Sequence, residues 1–191
     1  MKNKPPKEFV IILIILSWMT YRILGFIFMS SIELFGGDIL PTSWIIPLGQ
    51  DAIIGLTAPI ILFFMATRPK VLTYTLTIAW VWWGIADFGV GLVTDIVQPP
   101  LKSPMGENTP GWVLTGWLLT NLGLELYALN LLLSSKVRNY FILSENENPL
   151  SLKETPLNGK WILVIMVSAL IGGFFPYVAI GINGFFQMMG Y

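Results

Sequence analysis

The sequence predicts an all-α fold, a bundle of five transmembrane helices in a single domain that covers residues 1–191. Only 12% of the residues are charged, 54% are hydrophobic and the mean hydropathy is +0.71, whereas soluble domains are roughly a quarter charged. Five apolar runs reach the length of about 20 residues that a helix needs to cross a bilayer. These runs lack the alternation of a membrane β-barrel, so helices must satisfy the backbone groups.

Each predicted span is an apolar stretch between polar or turn-forming residues. We place the spans at residues 9–29, 46–67, 71–94, 112–134 and 161–186. The first begins with FVIILIILSWM after a lysine-rich start and resumes with ILGFIFM after Arg22, so we interpret it as a span and not as a cleaved signal peptide. The second and fifth contain Pro59 and Pro176, each of which removes a helical hydrogen bond and predicts a kink.

Two connecting segments differ from ordinary loops in composition. Residues 30–45 are too apolar for an exposed loop, and we expect them to lie along the outer interface of the membrane. Residues 135–160 are predicted to form a cytoplasmic loop. The polar, proline-containing stretch 139–160 within it is typical of a linker that is disordered or faces a partner. A plain solvated loop is the alternative for that stretch.

The distribution of Lys and Arg between the two sets of loops orients the chain. Nine lie in one set, namely Lys2, Lys4, Lys7, Arg68, Lys70, Lys136, Arg138, Lys153 and Lys160. The other set contains only Lys102. Because positive residues concentrate in cytoplasmic loops, we expect a cytoplasmic N-terminus and an outside C-terminus. The predicted location is a cell membrane, as a multi-pass protein of a bacterial-type cytoplasmic or inner membrane.

The lack of two residue types excludes several chemistries. The sequence contains no cysteine and no histidine. It therefore cannot form disulfides or thiolate nucleophiles, and it has no Cys or His ligands for the usual zinc sites, iron–sulfur clusters or haem. We therefore predict no catalytic residue, no metal site and no cofactor. The formal net charge of zero, without a basic patch among aromatic residues, gives no indication of nucleic-acid binding.

Four ionisable residues interrupt the predicted spans: Arg22, Asp51, Asp87 and Glu125. Ionised groups inside a bilayer are costly, so they normally face other helices or a wet cavity. Counting about 1.5 Å per residue places Arg22 about 10 Å, Asp51 about 8 Å and Asp87 about 10 Å from the outer ends of their spans. We therefore predict that these three side chains meet in one layer.

Small residues share a helical face with each of these three charges. They are Gly25 beside Arg22, Gly55 beside Asp51, and Gly84 and Gly91 beside Asp87, each three or four positions away. Small residues let helix backbones approach each other closely in a membrane. Their placement therefore favours an inward orientation of all three charges.

Glu125 lies deeper, about 20 Å from the outer side, and shares a helical face with Asn121. We expect Glu125 to have no basic partner at that depth. One arginine cannot neutralise three carboxylates, so one or more of them should bind a proton or a cation. Two interpretations stay open, because the charges either fix helix packing or bind an ion, a proton or a substrate. The candidates for ligand or ion binding are Arg22, Asp51, Asp87, Glu125 and Asn121.

Three short stretches surround these charges: YRILG at 21–25, DAIIGLTAP at 51–59 and IAW at 78–80, the last followed by Asp87. They resemble a group of small, uncharacterised bacterial multi-pass membrane proteins. The resemblance covers residues 21–92 and implies a short membrane protein with an Arg in its first span and an Asp opening its second. It supports the architecture and the charged positions, and it implies no activity.

We rank three functions for this architecture. The first is a non-enzymatic membrane component that binds a small ligand, an ion or a partner protein through the buried charges. The second is a small proton- or cation-coupled permease acting as an oligomer, because five helices form a thin wall for a monomeric transporter. The third is a membrane-embedded enzyme that uses carboxylates for acid–base chemistry. The expected partners are the lipid bilayer and either a second copy or another membrane protein.

Overall fold

The computed structural model describes residues 4–30, 41–100 and 110–144. Its elements are α1 (Lys7–Trp18), a 3-10 segment (Met19–Leu24), α2 (Gly25–Ser30), a 3-10 turn (Pro41–Trp44), α3 (Ile45–Thr67), α4 (Val71–Val97), α5 (Gly111–Leu132) and α6 (Ser135–Ser144). These ranges contain no strand, so the all-α prediction is confirmed for them. The predicted fifth span, 161–186, and most of the predicted interfacial segment 30–45 lie outside the described residues.

Three helical stretches are long and apolar enough to cross a membrane: Lys7–Met29, Ile45–Thr67 and Val71–Val97. Helices α5 and α6 pass the same test only as a pair, and they meet at a bend of 60°. The described chain therefore has three such helices, or four if the bent pair forms one span. The count of five spans and the orientation of the termini stay predictions.

Prolines determine where the two longest helices end. Helix α3 ends at Thr67, and the next residue, Arg68, adopts φ −139° and ψ 66° before Pro69. Helix α4 ends in the same way just before Gln98, which adopts φ −139° and ψ 68° before Pro99. The ring of a proline clashes with a helical conformation of the preceding residue, which explains both ends. Pro59, by contrast, lies inside α3, which remains helical across it.

Helices α1, α3, α4 and α5 form a ring. Helix α3 packs against α1 and α4, and α5 packs against α4 and α1. The 3-10 segment lies mainly against α3. The described helices share one hydrophobic core cluster, to which Leu16, Ile54, Val81 and Leu129 belong. Each helix of the ring therefore has one face directed to a common interior.

Several charged side chains are buried in the described helices, and many large apolar side chains are exposed. Arg22, Asp87 and Glu125 are at most 2% exposed. Leu72 and Ile96 are 69% and 73% exposed. In water, charged groups lie outside and apolar groups tend to lie inside, whereas ionisable residues of membrane helices face the interior of the bundle. The distribution is therefore compatible with a membrane location.

The beginning of the predicted cytoplasmic loop 135–160 is helical. Helix α6 leaves α5 at the 60° bend and buries Val137, Tyr140 and Phe141. This spacing of three and four residues forms one face of a helix. The prediction of a linker was wrong for residues 139–144, because the polar composition of the longer stretch 139–160 hid the short amphipathic pattern at its start. Residues 145–160 lie outside the described residues.

Candidate functional site

Arg22 lies in the 3-10 segment that separates α1 from α2. A 3-10 helix has three residues per turn, so side chains three positions apart lie directly above one another. Met19 and Arg22 have this spacing, and they are the two buried residues of the segment. The tighter turn therefore directs both side chains to the interior of the ring.

Two glycines allow the backbone around Arg22 to touch α3. A Cβ atom added at Gly55 would lie 2.6 Å from the carbonyl carbon of Arg22 and 2.7 Å from the Cα of Ile23. A Cβ added at Gly25 would lie 2.5 Å from the carbonyl oxygen of Leu48. Only glycine fits at such close backbone approaches. The predicted role of these glycines in close helix packing is confirmed.

The guanidinium of Arg22 contacts one carboxylate from each of the other three helices of the ring. Its Nε donates to Oδ1 of Asp51 in α3 at 2.5 Å. Its Nη1 donates to Oε1 of Glu125 in α5 at 2.7 Å, and its Nη2 donates to Oδ2 of Asp87 in α4. We call these four residues the ion cluster. The predicted meeting of Arg22 with Asp51 and Asp87 is confirmed.

The flat face of the guanidinium packs on the ring of Phe88. The Cζ of Arg22 lies 4.1 Å from the ring centroid, a distance at which an aromatic face attracts a cation. The nitrogen atoms at the edges of the guanidinium are occupied by carboxylates, so the ring covers a face that cannot form hydrogen bonds. Phe88 directly follows Asp87 but was not among the predicted site residues.

The prediction that Glu125 lacks a basic partner was wrong, because Glu125 accepts a hydrogen bond from Arg22. The predicted third span ended at residue 94, and depth was counted from that end, whereas α4 continues to Val97. Asp87 therefore lies about 15 Å from the end of its helix, which is closer to the depth of Glu125. The long side chain of Arg22 spans the remaining difference in depth between Asp87 and Glu125.

Gly84 provides the space that Glu125 occupies. A Cβ at Gly84 would lie 2.5 Å from Oε2 and 2.7 Å from Cδ of Glu125. The carboxylate thus sits in a notch on the surface of α4, one turn from Asp87. Gly89 of the same helix would have nothing within 4 Å of an added Cβ. The notch is therefore specific to the position that faces Glu125.

The members of the ion cluster differ in their access to the protein surface. The side chain of Asp51 is 25% exposed, whereas those of Arg22 and Glu125 are 0% exposed and that of Asp87 is 2% exposed. Asp51 forms the rim of the cluster and the other three form its interior. A proton or ligand that enters at this rim meets Asp51 first.

Two carboxylate oxygens of the ion cluster have no hydrogen-bond partner in the described part of the chain. They are Oδ1 of Asp87 and Oε2 of Glu125, and both are buried. Buried polar atoms are nearly always hydrogen-bonded. If all three carboxylates are ionised, the single positive charge of Arg22 leaves two negative charges in excess. The cluster is therefore unbalanced in both hydrogen bonds and charge.

Within the described residues, Asn121 forms its side-chain hydrogen bonds outside the ion cluster and joins α1 to α5 beside it. The indole Nε1 of Trp18 donates to its Oδ1 at 2.9 Å, and its Nδ2 donates to the carbonyl oxygen of Trp117 at 2.8 Å. In the sequence, Trp18 precedes Arg22 by four residues, as Asn121 precedes Glu125, and this is the spacing of one face in a regular α-helix. That shared spacing could have indicated the contact. A ligand-binding role for Asn121 stays a prediction.

Asp95 is a further buried carboxylate that the sequence analysis missed. It lies near the end of α4, and its Oδ2 accepts a hydrogen bond from the hydroxyl of Thr115 in α5 at 2.6 Å. The predicted span ended at residue 94, so Asp95 was not counted among the intramembrane charges. Asp95 is paired with a hydroxyl instead of a cation. It is therefore a suitable control for the acidic members of the ion cluster.

No family model matches this chain, and neither a curated protein nor a solved structure matches it. The resemblance of residues 21–92 to small bacterial membrane proteins therefore stays a prediction. What the observations define is a helical protein with three or four helices apolar enough to span a membrane and one buried arginine shared by three carboxylates.

Proposed function

We propose that this protein is a non-enzymatic membrane component whose ion cluster binds protons. Arg22 supplies a fixed positive charge, and the carboxylates of Asp87 and Glu125 are the proton sites. The observation that carries the proposal is the pair of buried carboxylate oxygens without a hydrogen-bond partner beside a single guanidinium.

Two protons, one on Asp87 and one on Glu125, would remove the two excess negative charges of the ion cluster. A buried charge without a partner costs several kcal/mol, and Arg22 can balance only one of three carboxylates. A proton on Oδ1 of Asp87 or Oε2 of Glu125 removes one negative charge. It also turns an acceptor without a partner into a hydroxyl donor. The two atoms that lack partners are thus the atoms on which a proton is most favourable.

The geometry of the carboxylates favours a proton over a metal ion. In the described residues no three acidic, cysteine or histidine side chains are arranged to hold a metal. Each carboxylate of the ion cluster directs one oxygen to a different nitrogen of Arg22 and not to a shared point. Magnesium and calcium take about six or more oxygen ligands, whereas a proton needs only one oxygen atom.

The partial exposure of Asp51 supports proton exchange with the surface. Asp51 is the one member of the ion cluster with a substantially exposed side chain, and it shares the guanidinium of Arg22 with both buried carboxylates. A proton that binds at Asp51 weakens its ion pair, which changes the positive charge available to Asp87 and Glu125. Asp51 therefore couples the rim of the cluster to its interior.

Infrared difference spectroscopy tests this proposal on the full chain in lipid nanodiscs. The pH is lowered from about 9 to about 5, a range in which strongly perturbed carboxyl groups titrate. The carbonyl band of protonated carboxyl groups is recorded at each pH. We expect a band that grows as the pH falls and that Asp87→Asn and Glu125→Gln each reduce. Asp95→Asn is the matched control, because it also replaces a buried carboxylate of α4.

Two results would contradict the proposal. One is a folded wild-type protein without a pH-dependent carboxyl band in this range. The other is a band that Asp95→Asn reduces as much as the cluster variants do. The two cluster variants lie on different helices, so a folding defect in one leaves the other as a test.

A proton-coupled permease is the second candidate, and the break in the first span favours it. The 3-10 segment interrupts the helix at the residue that holds the ion cluster. Interrupted helices frequently form the ion and substrate sites of membrane transporters. In proteoliposomes with a pH gradient, a permease would give a proton flux that Asp87→Asn abolishes. Proton binding without any flux would favour the non-transporting component.

A further inference from the structure

One end of the helical ring carries a strong excess of positive charge. The basic residues at this end are Lys4, Lys7, Arg68, Lys70, Lys136 and Arg138. The acidic residue described at this end is Glu8, so six positive charges face one negative charge within the described ranges. We call these six basic residues the basic end. The other described basic residue, Arg22, is buried in the ion cluster.

Contacts between helix ends show that these residues lie on the same side of the molecule. The Nζ of Lys136 in α6 lies 2.7 Å from Oε1 of Glu8 in α1. The hydroxyl of Tyr74, near the start of α4, donates to the carbonyl oxygen of Leu132 at the end of α5 at 3.1 Å. The start of α1, the start of α4 and the end of α5 therefore meet around α6.

The inner face of α6 packs across these helix ends through aromatic rings. The ring of Phe9 lies 4.9 Å from that of Tyr140 and 5.6 Å from that of Phe141, measured between centroids. The ring of Tyr74 lies 5.2 Å from that of Phe141. Edge and tilted ring contacts at such distances are favourable. Helix α6 is therefore held across the starts of α1 and α4.

The outer face of α6 combines cationic and apolar side chains. Lys136, Arg138, Ile142 and Leu143 are all exposed on it. Helix α5 alone has 22 residues and a length of about 33 Å, which already matches the hydrocarbon thickness of a bilayer. The 60° bend after α5 therefore falls where a helix leaves the hydrocarbon core. A helix with this composition at that level is typical of the membrane interface.

We infer that α6 lies along the membrane surface and that the basic end binds the headgroups of anionic phospholipids. The exposed leucine and isoleucine of α6 enter the boundary of the acyl chains, and the lysine and arginine side chains reach the phosphate groups. Clusters of basic residues next to a transmembrane helix attract anionic lipids, and this attraction falls with distance from the surface. The inference does not depend on the ion cluster, which lies elsewhere in the ring.

Native mass spectrometry of the full chain tests this lipid preference. The purified protein is mixed with equal amounts of phosphatidylglycerol and phosphatidylcholine, and the ratio of the two lipids that remain bound is measured. We expect wild-type protein to retain phosphatidylglycerol preferentially. The double variant Arg68→Gln with Arg138→Gln removes two exposed charges that form no ion pair within the described part of the chain. We expect the ratio of bound phosphatidylglycerol to phosphatidylcholine to fall about 25-fold, because each basic side chain near the surface contributes a factor of about five.

Single variants provide the matched control for this experiment. Arg138→Gln and Lys102→Gln each remove one positive charge, and the sequence predicts Lys102 for the opposite set of loops. We expect Arg138→Gln to lower the lipid ratio about fivefold and Lys102→Gln to leave it unchanged. Equal ratios in Arg138→Gln and wild type, or an equal fall in both single variants, would overturn the inference.

A salt titration of the wild-type protein tests the same inference without any substitution. Salt screens exposed charges, with a Debye length of about 10 Å at about 0.1 M and about 3 Å at about 1 M. We expect the preference for phosphatidylglycerol to decline steadily as salt increases. A preference that does not respond to salt would show that the basic residues do not cause it, and it would contradict the inference.

Discussion

Replacing Gly55 by alanine is expected to separate the 3-10 segment from α3. The new Cβ would lie 2.6 Å from the carbonyl carbon of Arg22 and 2.7 Å from the Cα of Ile23. Both neighbours are backbone atoms, so no side-chain rotation can relieve the overlap. The two helices must therefore move apart, and this movement lengthens the contact between Arg22 and Asp51, which is 2.5 Å in the native protein.

The size of the effect follows from three contributions. Overpacking a close contact costs about 1–3 kcal/mol, and the rigid backbone on both sides of Gly55 places this variant at the upper limit of about 3 kcal/mol. The weakened pair with Asp51, whose side chain is 25% exposed, adds at most about 1 kcal/mol after solvent screening. Alanine stabilises a helix by about 1 kcal/mol relative to glycine. We expect a net loss of about 3 kcal/mol, which is roughly a hundredfold in the folding equilibrium.

Equilibrium unfolding in mixed micelles, followed by tryptophan fluorescence, measures this loss. Gly89→Ala is the matched control, since it makes the same change in a neighbouring helix where nothing lies within 4 Å of the new Cβ. We expect Gly89→Ala to be as stable as wild type or about 1 kcal/mol more stable. Equal stability of the Gly55 and Gly89 variants would refute the close packing of the 3-10 segment on α3.

Two further substitutions test contacts near the ion cluster. Trp18→Phe keeps an aromatic ring but removes the N–H that binds Asn121, so we expect a loss of about 1 kcal/mol in the same unfolding assay; an unchanged midpoint would show that the bond contributes no stability. Gly84→Ala would place a Cβ 2.5 Å from Oε2 of Glu125 and should cost about 1–3 kcal/mol. Because the carboxylate must leave its notch, we also expect a shifted infrared carboxyl band, and an identical band would exclude the predicted displacement.

The helices could be predicted from the sequence because two physical signals coincide in it. Apolar runs of about 20 residues satisfy the length that a bilayer requires, and prolines after Arg68 and Gln98 end the helices where those runs stop. The described boundaries of α3 and α4 differ from the predicted spans 46–67 and 71–94 by one to three residues. The sequence therefore predicted the bounds of these two helices closely, whereas the count of five spans stays a prediction.

The contact of Arg22 with Asp51 and Asp87 could be predicted because depth in a membrane restricts charged residues. A buried charge must find a partner at its own level, and the count of residues along each span gives that level. Glycines at helical spacing then indicated which faces meet, and the contacts at Gly55 and Gly25 follow this pattern. The same reasoning would not work in water, where a charge can simply face solvent.

The partner of Glu125 was not predicted because residue counting follows the helix axis and ignores the direction of side chains. Side chains on an α-helix lean toward its N-terminus. Helices α1 and α5 run antiparallel, since Glu8 pairs with Lys136 just beyond the end of α5 whereas Tyr21 contacts Trp117 near its start. Arg22 and Glu125 therefore lean toward each other. The two side chains therefore come into contact although their backbones differ in depth along the helix axis.

The excess of carboxylates supports the proposed binding of protons over the alternative of helix packing alone. If the ion cluster served helix packing alone, a glutamine in place of Glu125 would suit it better. The amide oxygen would still accept a hydrogen bond from Arg22. The extra negative charge would also disappear, and removing an unbalanced buried charge usually favours folding. The acid at this position therefore supports the proposal that Glu125 binds a proton reversibly.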